Sequence, residues 1–293
     1  MSRAVGTPQT VSYTGADGIT LMGDEWNRGQ AQRRDDASAT VLMLHGGGQN
    51  RFSWKKTGQV LADRGYHVVA LDTRGHGDSD RAPGADYGLD TLVADVLAVL
   101  EIIGRPVVLV GASLGGFTGI LTAARAGSER VRGLVLVDVV PRYELDGSTR
   151  IRDFMAAHQD GFDSLVQAAD AVAGYLSHRA RPENHDGLKK NLRLRDGRWY
   201  WHWDPALLTT LDSDPFPSPE QLEAAAVGLA IPILLIRGGL SDVVSVEGAR
   251  DFLAKVPHAE FAELSEAGHT AAGDVNDAFS DIVVEFVSRQ MTA

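Results

Sequence analysis

Along this chain the apolar positions gather into short unbroken runs, and the runs recur between stretches of helical period. TVLMLHGGG, YHVVALDTRGHG, RPVVLVGAS and VRGLVLVDVVP each hold consecutive aliphatic residues that stop at a glycine, an aspartate or a histidine. A continuous aliphatic run of strand length predicts a strand buried on both faces, as in a parallel sheet covered by helices. Between these runs, SWKKTGQVLADRG, GLDTLVADVLAVLEIIG and LGGFTGILTAARAG carry apolar residues at helical spacing. GITLMGDEWN predicts an earlier strand after a polar start, and GQAQRRDDAS a solvated loop. Strand, helix and strand in alternation predict a doubly wound α/β fold with a mostly parallel sheet.

The pattern changes between Arg142 and Ala226, where runs of strand type vanish. This segment carries the helical patches of IRDFMAAHQDGFDSLVQAADAVAGYLSHRA, an aromatic cluster RWYWHWDP and the turn-rich DSDPFPSPE. It predicts a mostly helical insertion over residues 142–226 within a core domain formed by 1–141 and 227–293. The α/β alternation then resumes with IPILLIRGG as a strand, VSVEGARDFLAKV as a helix and AEFAELSEAGH as a strand and loop. A last helix is expected over about Asp274 to Gln290.

Composition narrows the chemistry. The formal net charge is −11, with no run of lysines or arginines, so nucleic acid and anionic membrane surfaces are poor partners. There is no cysteine, which excludes disulfides, thiolate metal sites and a cysteine nucleophile. No stretch approaches the ~18 apolar residues of a membrane span, and the first residues have no apolar leader region, so the expected address is cytoplasmic. No His, Asp or Glu cluster shows ligand spacing, and neither a metal nor a cofactor is expected.

The stretch VVLVGASLGGFTGI places one hydroxyl, Ser113, between a predicted strand and a predicted helix. Such a serine is ordinarily a cap or a turn residue. Here Gly111 and Gly115 make G-x-S-x-G, a turn so sharp that side chains beside the serine would collide. The serine is then presented at the carboxyl end of the sheet, near a helix N-terminus that favours developing negative charge. A nucleophilic serine needs a base, and His269 in SEAGHTAAGD follows the last predicted strand on the same edge. The base needs a carboxylate: Asp242 in IRGGLSDVVS is the first choice, because its Gly-Gly-Leu-Ser turn leaves the side chain free to reach across the edge. Asp138, which also ends a strand there, is the competitor. Backbone N–H groups of Leu114, after the serine, and Gly47, in LHGGGQN, are the expected oxyanion donors, with His45 bracing that loop.

These motifs together resemble the α/β-hydrolase superfamily over nearly the whole chain. HGGGQNRFSW is similar to the family's oxyanion loop, including a tryptophan at Trp54. LDTRGHGDSD is similar to a turn that in relatives is structural, which makes Asp72, Arg74 and His76 a braced loop. GASLGG resembles the nucleophile elbow, Asp242 falls on the usual acid position, and residues 142–226 stand where the family carries its lid. A serine at the elbow argues against epoxide hydrolases and haloalkane dehalogenases, which use an aspartate there. Glycines after His45 lower peroxide chemistry, Thr270 after His269 lowers carbon–carbon bond hydrolysis, and Lys189 and Lys190 are poorly placed for a hydroxynitrile lyase. The resemblance implies a serine hydrolase cleaving carboxylic esters of small to medium apolar substrates through an acyl-enzyme. A lactonase, perhydrolase or carbon–carbon hydrolase on the same groups, or a ligand sensor with a vestigial site, stands as the alternative.

The aromatic cluster admits two readings. Trp199, Trp201 and Trp203 either form a packing knot that anchors the insertion or, with Phe117 and Leu114, wall an apolar pocket over Ser113. The expected partner is a small ester-like molecule, and the oligomeric state, monomer or homodimer, is open.

Overall fold

The long aliphatic runs do become a buried sheet. The computed structural model describes residues 7–28, 40–176, 185–213, 218–270 and 276–290. The strands are β1 (Gln9–Thr14), β2 (Thr20–Trp26), β3 (Thr40–Leu44), β4 (His67–Leu71), β5 (Val107–Ala112), β6 (Val131–Val137), β7 (Leu192–Arg195), β8 (Arg198–Trp201), β9 (Ile233–Gly238) and β10 (Ala259–Leu264). Eight of them form one sheet in the order β1-β2-β4-β3-β5-β6-β9-β10. The first three pair antiparallel and every later pair is parallel. This is the doubly wound α/β fold that the sequence predicts.

Each face of the sheet has its own helices. These are α1 (Lys55–Asp63), α2 (Leu89–Ile103), α3 (Leu114–Ala126), α4 (Leu145–Ala156), α5 (Leu165–Tyr175), α6 (Ala206–Ser213), α7 (Pro219–Val227), α8 (Val246–Lys255) and α9 (Asn276–Gln290). Val41, Met43, Val108, Val110, Val135 and Val137 point to one face and pack with Leu61 of α1 and Phe279, Val283 and Val287 of α9. Leu42, Leu44, Leu109, Leu134 and Leu136 point to the other and pack with Leu92 and Val96 of α2, Ile120 of α3 and Phe252 of α8. Full burial of each such side chain stabilises by about 1.5–3 kcal/mol, so the two-sided burial explains why these runs do not alternate. No helix among the described residues is long and apolar enough to cross a membrane.

Two departures from the sequence reading stand out. Residues 9–14 form β1, an edge strand, where only a polar start was expected; Val11 and Tyr13 supply the inward positions of a short alternating pattern. The segment between β6 and β9 carries α4, α5, α6 and α7, but RWYW is a strand of the β7–β8 hairpin, in a stretch where no strand was expected. The hairpin turns on Asp196 and Gly197, both with positive φ (49° and 81°), the geometry that an Asp-Gly pair favours. The predicted loop GQAQRRDDAS, the end of the predicted helical run at 177–180, and 214–217 of DSDPFPSPE lie outside the described residues.

Buried ion pairs tie the loops at one end of the sheet. Arg74 donates to both oxygens of Asp95 on α2 (2.6 and 2.7 Å), and Asp95 also accepts the Ala16 N–H (2.9 Å) from the β1–β2 connection. Arg51 pairs with Asp24, Asp72 and Asp78. Removing one partner of a buried pair strands the other charge. Arg74→Leu is therefore expected to cost about 3–5 kcal/mol, read as a fall in the urea midpoint, whereas Arg289→Leu on the exposed face of α9 should shift it by under about 1 kcal/mol.

Candidate active site

The chain has one residue in which to pass from β5 into α3, and Ser113 is that residue, with φ 48° and ψ −115°. Non-glycine residues adopt such angles only where their surroundings enforce them. The Ser113 N–H donates to the Val137 carbonyl (3.2 Å), and its own carbonyl accepts from the Gly116 and Phe117 N–H groups (2.8 and 3.1 Å). Glycine on both sides is a packing requirement. A Cβ on Gly111 would stand 2.3 Å from the Gly115 carbonyl oxygen, and one on Gly115 would stand 2.3 Å from that of Leu44. Ser113 occupies the N-cap position of α3, yet its side chain makes no capping hydrogen bond. The ordinary structural use of such a serine is absent.

The glycine loop that follows β3 lies against it. A Cβ on Gly46 would stand 3.3 Å from the Ser113 Cβ, and one on Gly47 3.9 Å from Leu114 Cδ2. Among the described residues, neither the Gly47 nor the Leu114 N–H has an acceptor. Gly46 thus stands against Ser113 and Gly47 against Leu114, the residue that follows it.

Asp138 ends β6, the strand beside β5 in the sheet, and is fully buried. Its Oδ1 accepts the Gly238 N–H (2.8 Å), and its Oδ2 accepts from the Ser241 hydroxyl (2.5 Å) and from His269 Nδ1 (2.7 Å). With Nδ1–H donated to a carboxylate, Nε2 of His269 carries the lone pair. The loops that follow β5, β6 and β10 at one edge of the sheet therefore carry a hydroxyl, a buried carboxylate and an imidazole whose second nitrogen has no partner among the described residues.

Asp242 is not that carboxylate. Its Oδ2 pairs with Arg150 of α4 (2.5 Å), and its side chain is about one-third exposed (34%). The turn after β9 delivers Ser241, not Asp242, to the interior: the Ser241 Oγ donates to Asp138 while accepting the Val243 and Val244 N–H groups (both 3.1 Å). The next residue then faces outward, and the competitor weighed in the sequence holds the position instead. The predicted pocket residues divide. Phe117 is buried in the first turn of α3 with its ring 5.6 Å from that of Tyr143. Trp201 and Trp203 stack on each other (4.8 Å) and pack with Phe154 and Phe162 inside the insertion, while half-buried Trp199 pairs with Phe162 through the backbone. The cluster is a packing knot, although Trp201 and Trp203 also border a cavity of about 220 Å³.

Three histidines, His45, His76 and His202, sit together behind the glycine loop that follows β3. His45 Nε2 accepts the Thr73 N–H (3.1 Å) and its Nδ1–H donates to the Gly46 carbonyl (2.8 Å). His76 Nε2 accepts the Gly48 N–H (3.1 Å), and His202 Nδ1 accepts the Gly77 N–H (2.7 Å). A ring nitrogen that accepts a backbone N–H is unprotonated, so all three are neutral imidazoles. Burial lowers His45 to about 4 and His76 to about 3, and holds His202 well below its usual range. Asp72 is buried against Arg51 and Arg74 against Asp95, so the LDTRGHGDSD turn is braced throughout. Among the described residues, no group of three or more His, Asp or Glu side chains is disposed to hold a metal ion.

Residues 39–274 match the sequence model of the alpha/beta hydrolase fold. The chain belongs to the α/β-hydrolase fold family. It is 30% identical over 261 residues to the esterase Rv0045c of Mycobacterium tuberculosis, a match spanning 86% of this chain and 84% of that one. A crystal structure of that esterase superposes with a TM-score of 0.73 at 27% identity, covering 97% and 92% of the two chains. A more local match, 33% identical over 135 residues, links the chain to protein phosphatase methylesterase 1 of Mus musculus and spans 44% of this chain and 35% of that one. An alpha/beta hydrolase from Novosphingobium aromaticivorans shares the fold, with a TM-score of 0.79 at 24% identity over 98% of both chains.

Acid is expected to loosen this hydrolase fold through its neutral histidines. The unfolded chain takes up a proton at each near pH 6.5, whereas folded His45 and His76 wait until about 4 and 3. Between those values the unfolded state binds more protons, so stability is full above pH 6.5 and is lost as pH falls. Each residue adds a slope of up to about 1.4 kcal/mol per pH unit. Melting temperature measured from pH 7 to 4 should fall, and His76→Gln, which keeps an acceptor for Gly48, should flatten the curve.

Proposed function

We propose that this protein is a serine hydrolase of carboxylic esters, with Ser113 as nucleophile, His269 as general base and acid, and Asp138 as the carboxylate that orients and stabilises the imidazolium. The observation that carries the reading is Ser113 itself: a strained, non-capping serine beside two uncommitted N–H groups, on the edge where Asp138 holds His269. Ser113 Oγ attacks the ester carbonyl as its proton passes to His269 Nε2, and the tetrahedral oxyanion is received by the N–H groups of Gly47 and Leu114. His269 returns the proton to the departing alcohol, leaving an acyl-serine. A water, deprotonated by the same nitrogen, then releases the acid. Every group is supplied by the chain, and the esterase Rv0045c, similar along most of its length, supports the ester as substrate. The insertion over 142–226 would act as the lid, bringing Met155 against the oxyanion loop, where a Cβ on Gly48 would stand 3.2 Å from its sulfur.

The test is hydrolysis of p-nitrophenyl esters from acetate to decanoate. Ser113→Ala should lower kcat by about 10⁴ or more, and a fluorophosphonate should label the wild type at Ser113 alone. Absence of turnover and labelling in the wild type would refute the reading. Asp138→Asn should lower kcat by about 10³–10⁴, since the amide favours the wrong imidazole tautomer. Asp242→Asn should change it less than about threefold, as it removes only a partly exposed ion pair. Equal losses in both would reject the assignment of Asp138.

A further inference from the structure

The insertion contains a recess that the ester chemistry leaves unused. Stacked Trp201 and Trp203, with Met155 and Tyr200, wall the cavity of about 220 Å³, and Arg81 and Arg195 stand among its lining residues. The same two arginines also line an adjoining groove of about 390 Å³, joined there by Arg193. In a chain of net charge −11, this concentration of guanidinium groups calls for a reason.

Local acids neutralise it only in part. Asp78, which lines the groove, is committed to Arg51 (2.8 Å) and Arg193 (2.6 Å). Asp204 stands 3.8 Å from Arg81, and its oxygens already accept from the Tyr87 hydroxyl (2.7 Å) and the Ala206 N–H (3.1 Å). Arg195 has no carboxylate partner among the described residues. Trp201, a wall of the cavity and more than nine-tenths buried, also has an indole N–H with no acceptor among them. An aromatic wall beside two guanidinium groups favours a molecule with an apolar body and an anionic end, since stacked indoles bury the body and the planar fork matches a carboxylate.

We propose that this cavity binds an organic carboxylate, its apolar part against Trp201 and Trp203 and its carboxylate on Arg81 and Arg195. The carboxylate could belong to the far end of an ester substrate or to a separate acid. Only the first source rests on the esterase reading; binding itself does not.

Calorimetric titration with 4-phenylbutyrate, and with its neutral amide as control, tests the site on the wild type and on the Arg81→Gln/Arg195→Gln double variant. The carboxylate should bind the wild type about tenfold or more tighter than the amide. The double variant should lose that margin while keeping its melting temperature, because both side chains lie at the rim. Equal binding of acid and amide, undiminished binding by the double variant, or no saturable binding at millimolar concentration would overturn the proposal. Two esters with the same leaving group identify the source. If KM for mono-p-nitrophenyl adipate rises about tenfold in the double variant while that for p-nitrophenyl hexanoate stays fixed, the carboxylate is the substrate's own. If neither KM moves although 4-phenylbutyrate binding is lost, the ligand is a separate acid. Failure to turn over either ester would count against the esterase reading alone, with the titration still deciding the site.

Discussion

The passage of the backbone through Ser113 is the constraint around which the edge of the sheet is arranged. β5 is buried on both faces and α3 must begin at once, so a single residue absorbs the reversal at φ 48°. That conformation costs about 1–3 kcal/mol and persists only where neighbouring contacts over-determine it. The hydrogen bond to Val137 fixes the elbow against β6, and the contact of Gly115 with the Leu44 carbonyl fixes it against β3. Those two strands are the ones whose next residues matter: β3 leads into the glycine loop and β6 into Asp138. One turn therefore sets the spacing of three loops, each just beyond the end of a strand, where the open edge of a parallel sheet leaves room for a ligand.

Two kinds of buried polar group hold these loops, and they differ in charge. Asp138 is a carboxylate receiving hydrogen bonds from Gly238, Ser241 and His269. His45, His76 and His202 are neutral acceptors for backbone N–H groups. A lysine or arginine behind the glycine loop would have no lone pair to offer those N–H groups, and it would cost several kcal/mol to desolvate. Neutral imidazole satisfies them without adding a buried charge. The guanidinium groups of Arg51 and Arg74 are each held against carboxylates of their own.

Much of this was legible in the sequence, because the signals were local. Unbroken Val/Leu runs could only be strands covered on both faces, and a serine between glycines at a strand-to-helix junction specifies its own geometry. His269 was legible from its place after the last strand. The choice between Asp138 and Asp242 was not, since both follow strands that reach the same edge. What separates them is sheet order, which puts the end of β6 beside Ser113, together with the orientation of a turn that buries Ser241 and turns Asp242 towards Arg150. Neither property is written in residue spacing. The β7–β8 hairpin carried a readable signal in Asp196-Gly197 between alternating residues, but it sat in a segment whose helical patches dominated the pattern. β1 went unread for a related reason: an edge strand with few inward positions offers little hydrophobic contrast.

The insertion is fastened to the core at several points. His202 accepts from Gly77, the Asp204 N–H donates to the Gly75 carbonyl, and Asn50 Nδ2 donates to the Lys190 carbonyl. Each bond runs between the insertion and a loop of the core, and a buried one costs about 1–3 kcal/mol to leave unmade. Leu222 and Ala226 of α7 are also part of the main hydrophobic core, so the C-terminal end of the insertion cannot lift without exposing that core. Swinging the whole insertion away would break these contacts together. α4 is fastened as well: a Cβ on Gly147 would stand 2.2 Å from the Asp242 carbonyl oxygen, Arg150 pairs with Asp242, the Glu144 N–H donates to the Val243 carbonyl, and Met155 rests on the glycine loop after β3, so this stretch too is held to the core.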